Sequence, residues 1–116
     1  MPPIYHYKSE TEEVDEILLE GLPLGSFKGE TYSLLETNTK SGDAYVFISD
    51  RLPEATNISD KMLGYKAVLD CVKNNGKFSA QEIKQSLFDL GAAWLGGVQN
   101  QDDITIGVVK KKYSFL

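Results

Sequence analysis

Three aspartates are the residues of this sequence best placed to do chemistry. Asp50 ends an apolar run, "AYVFIS" (44–49), and Asp102-Asp103 stand immediately before another, "ITIGVVKKK" (104–112). If the two runs are neighbouring antiparallel strands, the end of one lies beside the beginning of the other. All three carboxylates then gather at one edge of a sheet. Such a cluster repels itself until a cation or protons neutralise it. Oxygen ligands without histidine or cysteine point to Mg2+, Mn2+ or Ca2+ rather than zinc. The plainer alternative is that "QNQDD" (99–103) is a polar loop before a strand, since aspartate is a common turn residue.

Arg51 follows Asp50, where a tight turn beside an acid would more comfortably take glycine. Three roles stand open for it. The simplest is a solvent-facing side chain that the turn tolerates. The second is a substitute for a cation, paired with Asp50 or Asp102. The third is an outward-pointing guanidinium that holds a phosphate by its planar fork.

The elements that must position these residues read as follows. "PIYHYKS" (3–9) has the aromatic alternation of a strand, "ETEEVDE" (10–16) reads as a solvated hairpin tip, and "ILLEG" (17–21) as the returning strand. "GLPLGSFKGE" (21–30) is a loop with a specified path. "TYSLLETN" (31–38) and "AYVFIS" (44–49) flank the polar turn "TKSGD" and are expected to form an antiparallel pair. The second of them is apolar on both faces, as a covered central strand would be.

Two helices follow. Ser59 or Asp60 can cap the first, Met62, Tyr65, Leu69 and Val72 form its stripe, and "NNG" (74–76) offers a left-handed residue to end it. The second opens with a capping box, "SAQE" (79–82), continues with Ile83, Leu87, Leu90 and Trp94 as core, and closes at Gly96-Gly97. His6 is expected to be an ordinary strand histidine, and Lys110, Lys111 and Lys112 a solvated strand end. Strands, then helices, then a strand make an α+β layering rather than alternating βαβ units.

The composition narrows the classes. A chain of 116 residues suits one small domain, and a net charge of −5 argues against nucleic acid as a partner. The single cysteine, Cys71, excludes an internal disulfide and suits a reducing compartment. One histidine and one cysteine exclude a Cys/His zinc site within one chain. No run approaches the length of a membrane span, and no signal peptide is evident. The abrupt opening "MPPIYHY" is what a chain cut from something longer would show.

"LPLG" (22–25), "SGDAYVFISDRLPEATN" (41–57), Gly64 in the helix that follows, and "QDDITIGVV" (101–109) occur in that order over most of the chain. The ordered set resembles the C-terminal half of the PPM-type protein phosphatases, in particular the bacterial branch typified by the stage II sporulation protein E phosphatase and the stress-response sigma-factor regulators. The resemblance implies one domain over 1–116, a truncated portion of a β-sandwich in which two helices pack on an antiparallel sheet. It implies metal-dependent hydrolysis of phosphoserine, in which two divalent cations, Mn2+ or Mg2+, activate a water that attacks phosphorus directly. Asp50 then matches the metal ligand of a "(S/T)DG" turn and Asp102 the ligand of the terminal motif, with Asp103 a hydrogen-bonding partner that orients Asp102. The implied partner is a phosphorylated anti-anti-sigma-type protein in the cytoplasm.

Two departures qualify this. The family's other metal-bridging acids come from an earlier Asp and an "Asp-Gly…Gly-His-Gly" segment, and neither occurs in this chain. No residue here is therefore assigned as catalytic, metal should bind the isolated chain weakly or not at all, and the apolar sheet surface left uncovered favours self-association. The other departure is Arg51 in the glycine position. A degenerate, non-catalytic module that binds a signalling partner is the alternative to an enzyme portion.

Overall fold

The computed structural model of the chain describes residues 3–17, 40–96 and 104–111. Tyr5 and Tyr7 alternate with Ile4, His6 and Lys8 along strand β1 (Ile4–Lys8), so the two tyrosines share one face. The chain reverses over 9–12, where Glu12 adopts a left-handed φ of 56° and its N–H donates to the Lys8 carbonyl at 2.8 Å. It returns as β2 (Glu13–Ile17), paired antiparallel from Ile4↔Ile17 to Lys8↔Glu13. The acidic stretch expected at the hairpin tip is therefore largely strand. It lies at the edge of the sheet, where Glu13, Asp15 and Glu16 stay exposed and hydrated.

Strand β3 (Ala44–Ile48) lies between β1 and β4 (Ile106–Lys110), giving an antiparallel sheet of order β2-β1-β3-β4. This corrects the expected pairing of 44–49 with 31–38. A strand has two hydrogen-bonding edges, and over Ala44–Val46 both are taken, by β1 and by β4. Residues 31–38 themselves, with the loop 21–30 and the segment 18–20, lie outside the described residues.

Two helices cover the face that carries Tyr5, Tyr7, Val46 and Ile106. Helix α1 (Tyr65–Asn75) buries Val68 and Val72 there, with Leu69 partly buried beside them. It starts later than the sequence suggests, and neither Ser59 nor Asp60 caps it. Asn57 Oδ1 accepts the N–H groups of Ser59 (2.9 Å) and Lys61 (3.0 Å), and Thr56 bridges to Met62. Those bonds hold residues 56–62 in a small loop and leave Met62 exposed, off the helical stripe. Gly64 is the residue before α1, not one within it; its φ of 88° is a conformation that other residues reach only with strain.

Helix α1 ends at Gly76, which is right-handed (φ −60°, ψ −26°) and not left-handed as expected. Glycine is required there for a different reason: a Cβ would fall 2.2 Å from Cδ2 of Tyr7. Helix α2 (Ala80–Leu95) opens with the expected capping box. The Glu82 N–H donates to Ser79 Oγ at 3.1 Å, and the Ser79 N–H to Glu82 Oε1 at 3.3 Å. Such a cap stabilises a helix by about 1 kcal/mol. Ile83, Leu87, Gly91 and Leu95 form its buried stripe, in steps of four. Leu90 and Trp94, expected in the core, are only partly buried. The Trp94 indole N–H instead donates to the Lys61 carbonyl at 2.9 Å, tying α2 to the loop before α1.

Lys110 is not the solvated residue that its neighbours suggest. Its ammonium donates to the Gly76 carbonyl at 3.0 Å and to the Phe78 carbonyl, so it binds the turn between the helices to β4. Burial pulls its pKa below the ordinary lysine value. On the opposite sheet face Tyr45 is buried against His6, whereas Phe47 and Val109 are exposed at 37% and 61%. The architecture is α+β, an antiparallel sheet with two helices on one face.

Candidate functional site

Strands β3 and β4 are the antiparallel neighbours expected from the sequence, in register from Ala44↔Lys110 to Ile48↔Ile106. The pairing continues one step further. The Ser49 N–H donates to the Thr105 carbonyl and the Thr105 N–H to Ser49 Oγ, each at 2.9 Å. The residue before Asp50 is thus bonded to the second residue after Asp103. Asp102 and Asp103 lie outside the described residues.

Asp50 opens a tight turn pinned from below. The Leu52 N–H donates to the Ser49 carbonyl at 3.3 Å and the Glu54 N–H to the Asp50 carbonyl at 3.1 Å. The side chains of Leu52 and Pro53 are fully buried and Ala55 nearly so, which pegs the turn into the core. Asp50, Arg51 and Glu54 are left exposed above it. Tyr65, at the start of α1, has its phenol pKa raised by burial first and then by the charges of Asp50 and Glu54. The phenol therefore sits in the field of both carboxylates.

The question of Arg51 has a partial answer. Among the described residues the only non-glycine positions with positive φ are Glu12 and Asp60. The turn at Arg51 thus has no need of glycine, and arginine occupies it without backbone strain. Its side chain is exposed, and the ion pairs among the described residues are His6–Asp43, Lys8–Asp15 and Lys40–Glu10. Arg51 does not pair with Asp50.

The described residues bring no group of three or more His, Cys, Asp or Glu side chains together in a way that could hold a metal ion. They supply one element of such a site: the exposed Asp50 carboxylate, with no side-chain partner among them, at the end of β3. A hard oxygen donor of this kind suits Mg2+ or Mn2+.

A buried polar cluster lies at the other end of β3. Asp43, 2% exposed, receives four hydrogen bonds: from the Ser9 N–H (2.9 Å) and Ser9 Oγ (3.0 Å) on Oδ1, and from the Lys40 N–H (3.1 Å) and His6 Nε2 (2.9 Å) on Oδ2. Burial pushes the Asp43 pKa up, but the bonds from Ser9, His6 and Lys40 outweigh it and hold the carboxyl below its usual range. An ionised carboxylate only accepts, so the proton of this bond is on His6 Nε2. The His6 ring stacks on Tyr45 with centroids 4.4 Å apart. The signal for Asp43 in the sequence is an acid directly before an almost wholly apolar strand.

The fold these residues build has known counterparts. It matches the SiaA-PP2C domain of Pseudomonas aeruginosa (TM-score 0.63, 19% identity, covering 94% of this chain and 43% of that one). It also matches the phosphatase domain of the cell fate determinant SpoIIE from Bacillus subtilis (TM-score 0.59, 16% identity, covering 99% of this chain and 50% of that one). At these identities the likeness establishes the fold, that of a PP2C-type phosphatase domain. The chain spans about half the length of these domains or less. The family model for stage II sporulation protein E (SpoIIE) matches residues 1–112, and the chain belongs to that family. No curated protein matches it.

Proposed function

We infer that this chain is the C-terminal portion of a metal-dependent serine/threonine phosphatase domain that hydrolyses phosphoserine on a protein partner. The observation that carries the reading is the β3–β4 pairing through Ile48↔Ile106 and the Ser49–Thr105 hydrogen bonds, together with membership of the SpoIIE family. Asp50 and Asp102 are the residues proposed to hold metal, and Asp103 is proposed to orient Asp102 by a hydrogen bond. A bound divalent cation would lower the pKa of a nucleophilic water and neutralise phosphoryl oxygens. The chain's own contribution is to fix Asp50 on a turn pegged by Leu52 and Pro53. The phosphatase domains it resembles are about twice its length, so the remaining carboxylates would come from elsewhere. Metal binding by this chain alone would be weak, and self-association through uncovered sheet surface is expected. The partner is proposed to be a phosphorylated anti-anti-sigma-type protein in the cytoplasm. Among the described residues no helix is long and apolar enough to cross a membrane.

The test is a Mn2+ titration of the isotopically labelled chain followed by paramagnetic broadening. Broadening centred on the amides around residues 50 and 102, and lost in Asp50→Asn, is expected. Broadening spread over the acidic edge of β2 instead, or none at millimolar Mn2+, would refute the assignment.

A further inference from the structure

Arg51 is the only arginine of the chain; every other cationic side chain is a lysine. The two are not equivalent, because the guanidinium presents a rigid planar fork that matches a phosphate's oxygens, whereas an ammonium is a point charge. Of the exposed lysines among the described residues, Lys66, Lys73 and Lys84 are on the helices and Lys111 follows β4. The arginine stands beside Asp50, on a turn whose backbone is fixed by Leu52, Pro53 and the Glu54–Asp50 bond. The backbone does not dictate its identity, since the turn takes an ordinary φ, and no hydrogen bond or ion pair to a described residue holds its side chain. Among the described residues it stays unpaired, although the Asp50 and Glu54 carboxylates are its near neighbours in sequence. A guanidinium that is exposed, held by no described side chain and mounted on a rigid base has the geometry to take an external oxyanion.

We propose that Arg51 is an anion-recognition residue that binds the phosphate of the substrate phosphoserine beside Asp50. The choice of phosphate as the anion rests on the phosphatase reading; the capacity to bind an oxyanion rests on Arg51 alone. A cation at Asp50 and the guanidinium would repel each other while no anion lies between them. Were a divalent cation held at Asp50, a phosphate bound by Arg51 would offset that repulsion, and the two would bind cooperatively.

The experiment is a titration of the labelled chain with inorganic phosphate, with no metal present and the ionic strength held constant with chloride. The Nε–Hε resonance of Arg51 is unique in the spectrum, and the backbone amides of residues 50–54 report on the variants. A saturating shift with phosphate and none with chloride is expected. In Arg51→Gly the apparent affinity should fall about tenfold, the loss associated with one charge-assisted hydrogen bond, and Arg51→Lys should recover only part of it. Equal responses to phosphate and chloride, or an unchanged affinity in Arg51→Gly, would overturn the proposal. In Asp50→Asn the phosphate response should persist while Mn2+ broadening disappears. A chain that binds phosphate through Arg51 but never Mn2+ at residue 50 would therefore sink the metal assignment and leave the role of Arg51 standing.

Discussion

His6 Nε2 donates to Asp43 Oδ2 over 2.9 Å, joining the middle of β1 to the residue that precedes β3. Both groups are almost fully buried, at 6% and 2% exposure, and Asp43 also accepts from Ser9 and Lys40. The pair fixes the entry into the strand whose far end carries Asp50.

Asp43→Asn replaces one acceptor oxygen by an amide that must face donors. It should cost about 1.5–3 kcal/mol, the range for hydrogen bonds to charged groups, read as a lowered denaturant midpoint with unchanged slope. An unchanged midpoint would mean that the cluster is not stabilising.

The same residue sets an acid limb. Its folded pKa is lowered, so the unfolded chain binds the proton more readily than the folded one. The stabilisation is complete above the ordinary aspartate value of about 3.9 and is lost as pH falls through the depressed folded value. Melting temperature should therefore fall below about pH 4 more steeply in the wild type than in Asp43→Asn. Parallel curves would assign the acid sensitivity to other carboxylates.

Gly76→Ala places a methyl group 2.2 Å from the Tyr7 ring, so the turn or the ring must move. Overpacking of this kind costs about 1–3 kcal/mol. The penalty should shrink in a Tyr7→Leu background, measured by a double-mutant cycle. An additive pair would show that the clash is relieved elsewhere.

Lys110→Met keeps the aliphatic stem and removes the donor to the Gly76 and Phe78 carbonyls. A loss of about 1–2 kcal/mol is expected, with faster amide exchange confined to the turn between α1 and α2. Faster exchange spread evenly over the sheet would point to a general loss of stability.

The strongest sequence signals were local or periodic. The Ser79–Glu82 capping box needs only four consecutive residues, and β1 and β4 announce themselves by composition, so both survive intact in the structure. The start of α1 is not legible in the sequence because Asn57 takes the amides of Ser59 and Lys61, a side-chain choice that competes with helix capping and leaves no periodic trace. The constraint on Gly76 is hidden from the sequence because it comes from Tyr7, far away along the chain. The roles of Lys110 and Asp43 are hidden for the same reason, since their partners are distant along the chain. For the site, the antiparallel pairing of the strand before Asp50 with the strand after Asp103 followed from strand polarity alone, whereas the tolerance of the turn for Arg51 depended on a backbone angle that no composition encodes.

The indole of Trp94, the chain's one tryptophan, bonds directly to the carbonyl of Lys61. Its emission is therefore a built-in optical gauge of whether the end of α2 stays latched to the segment that runs back to Asp50. A red shift on adding phosphate or a divalent ion would register that latch opening, without any label having been attached.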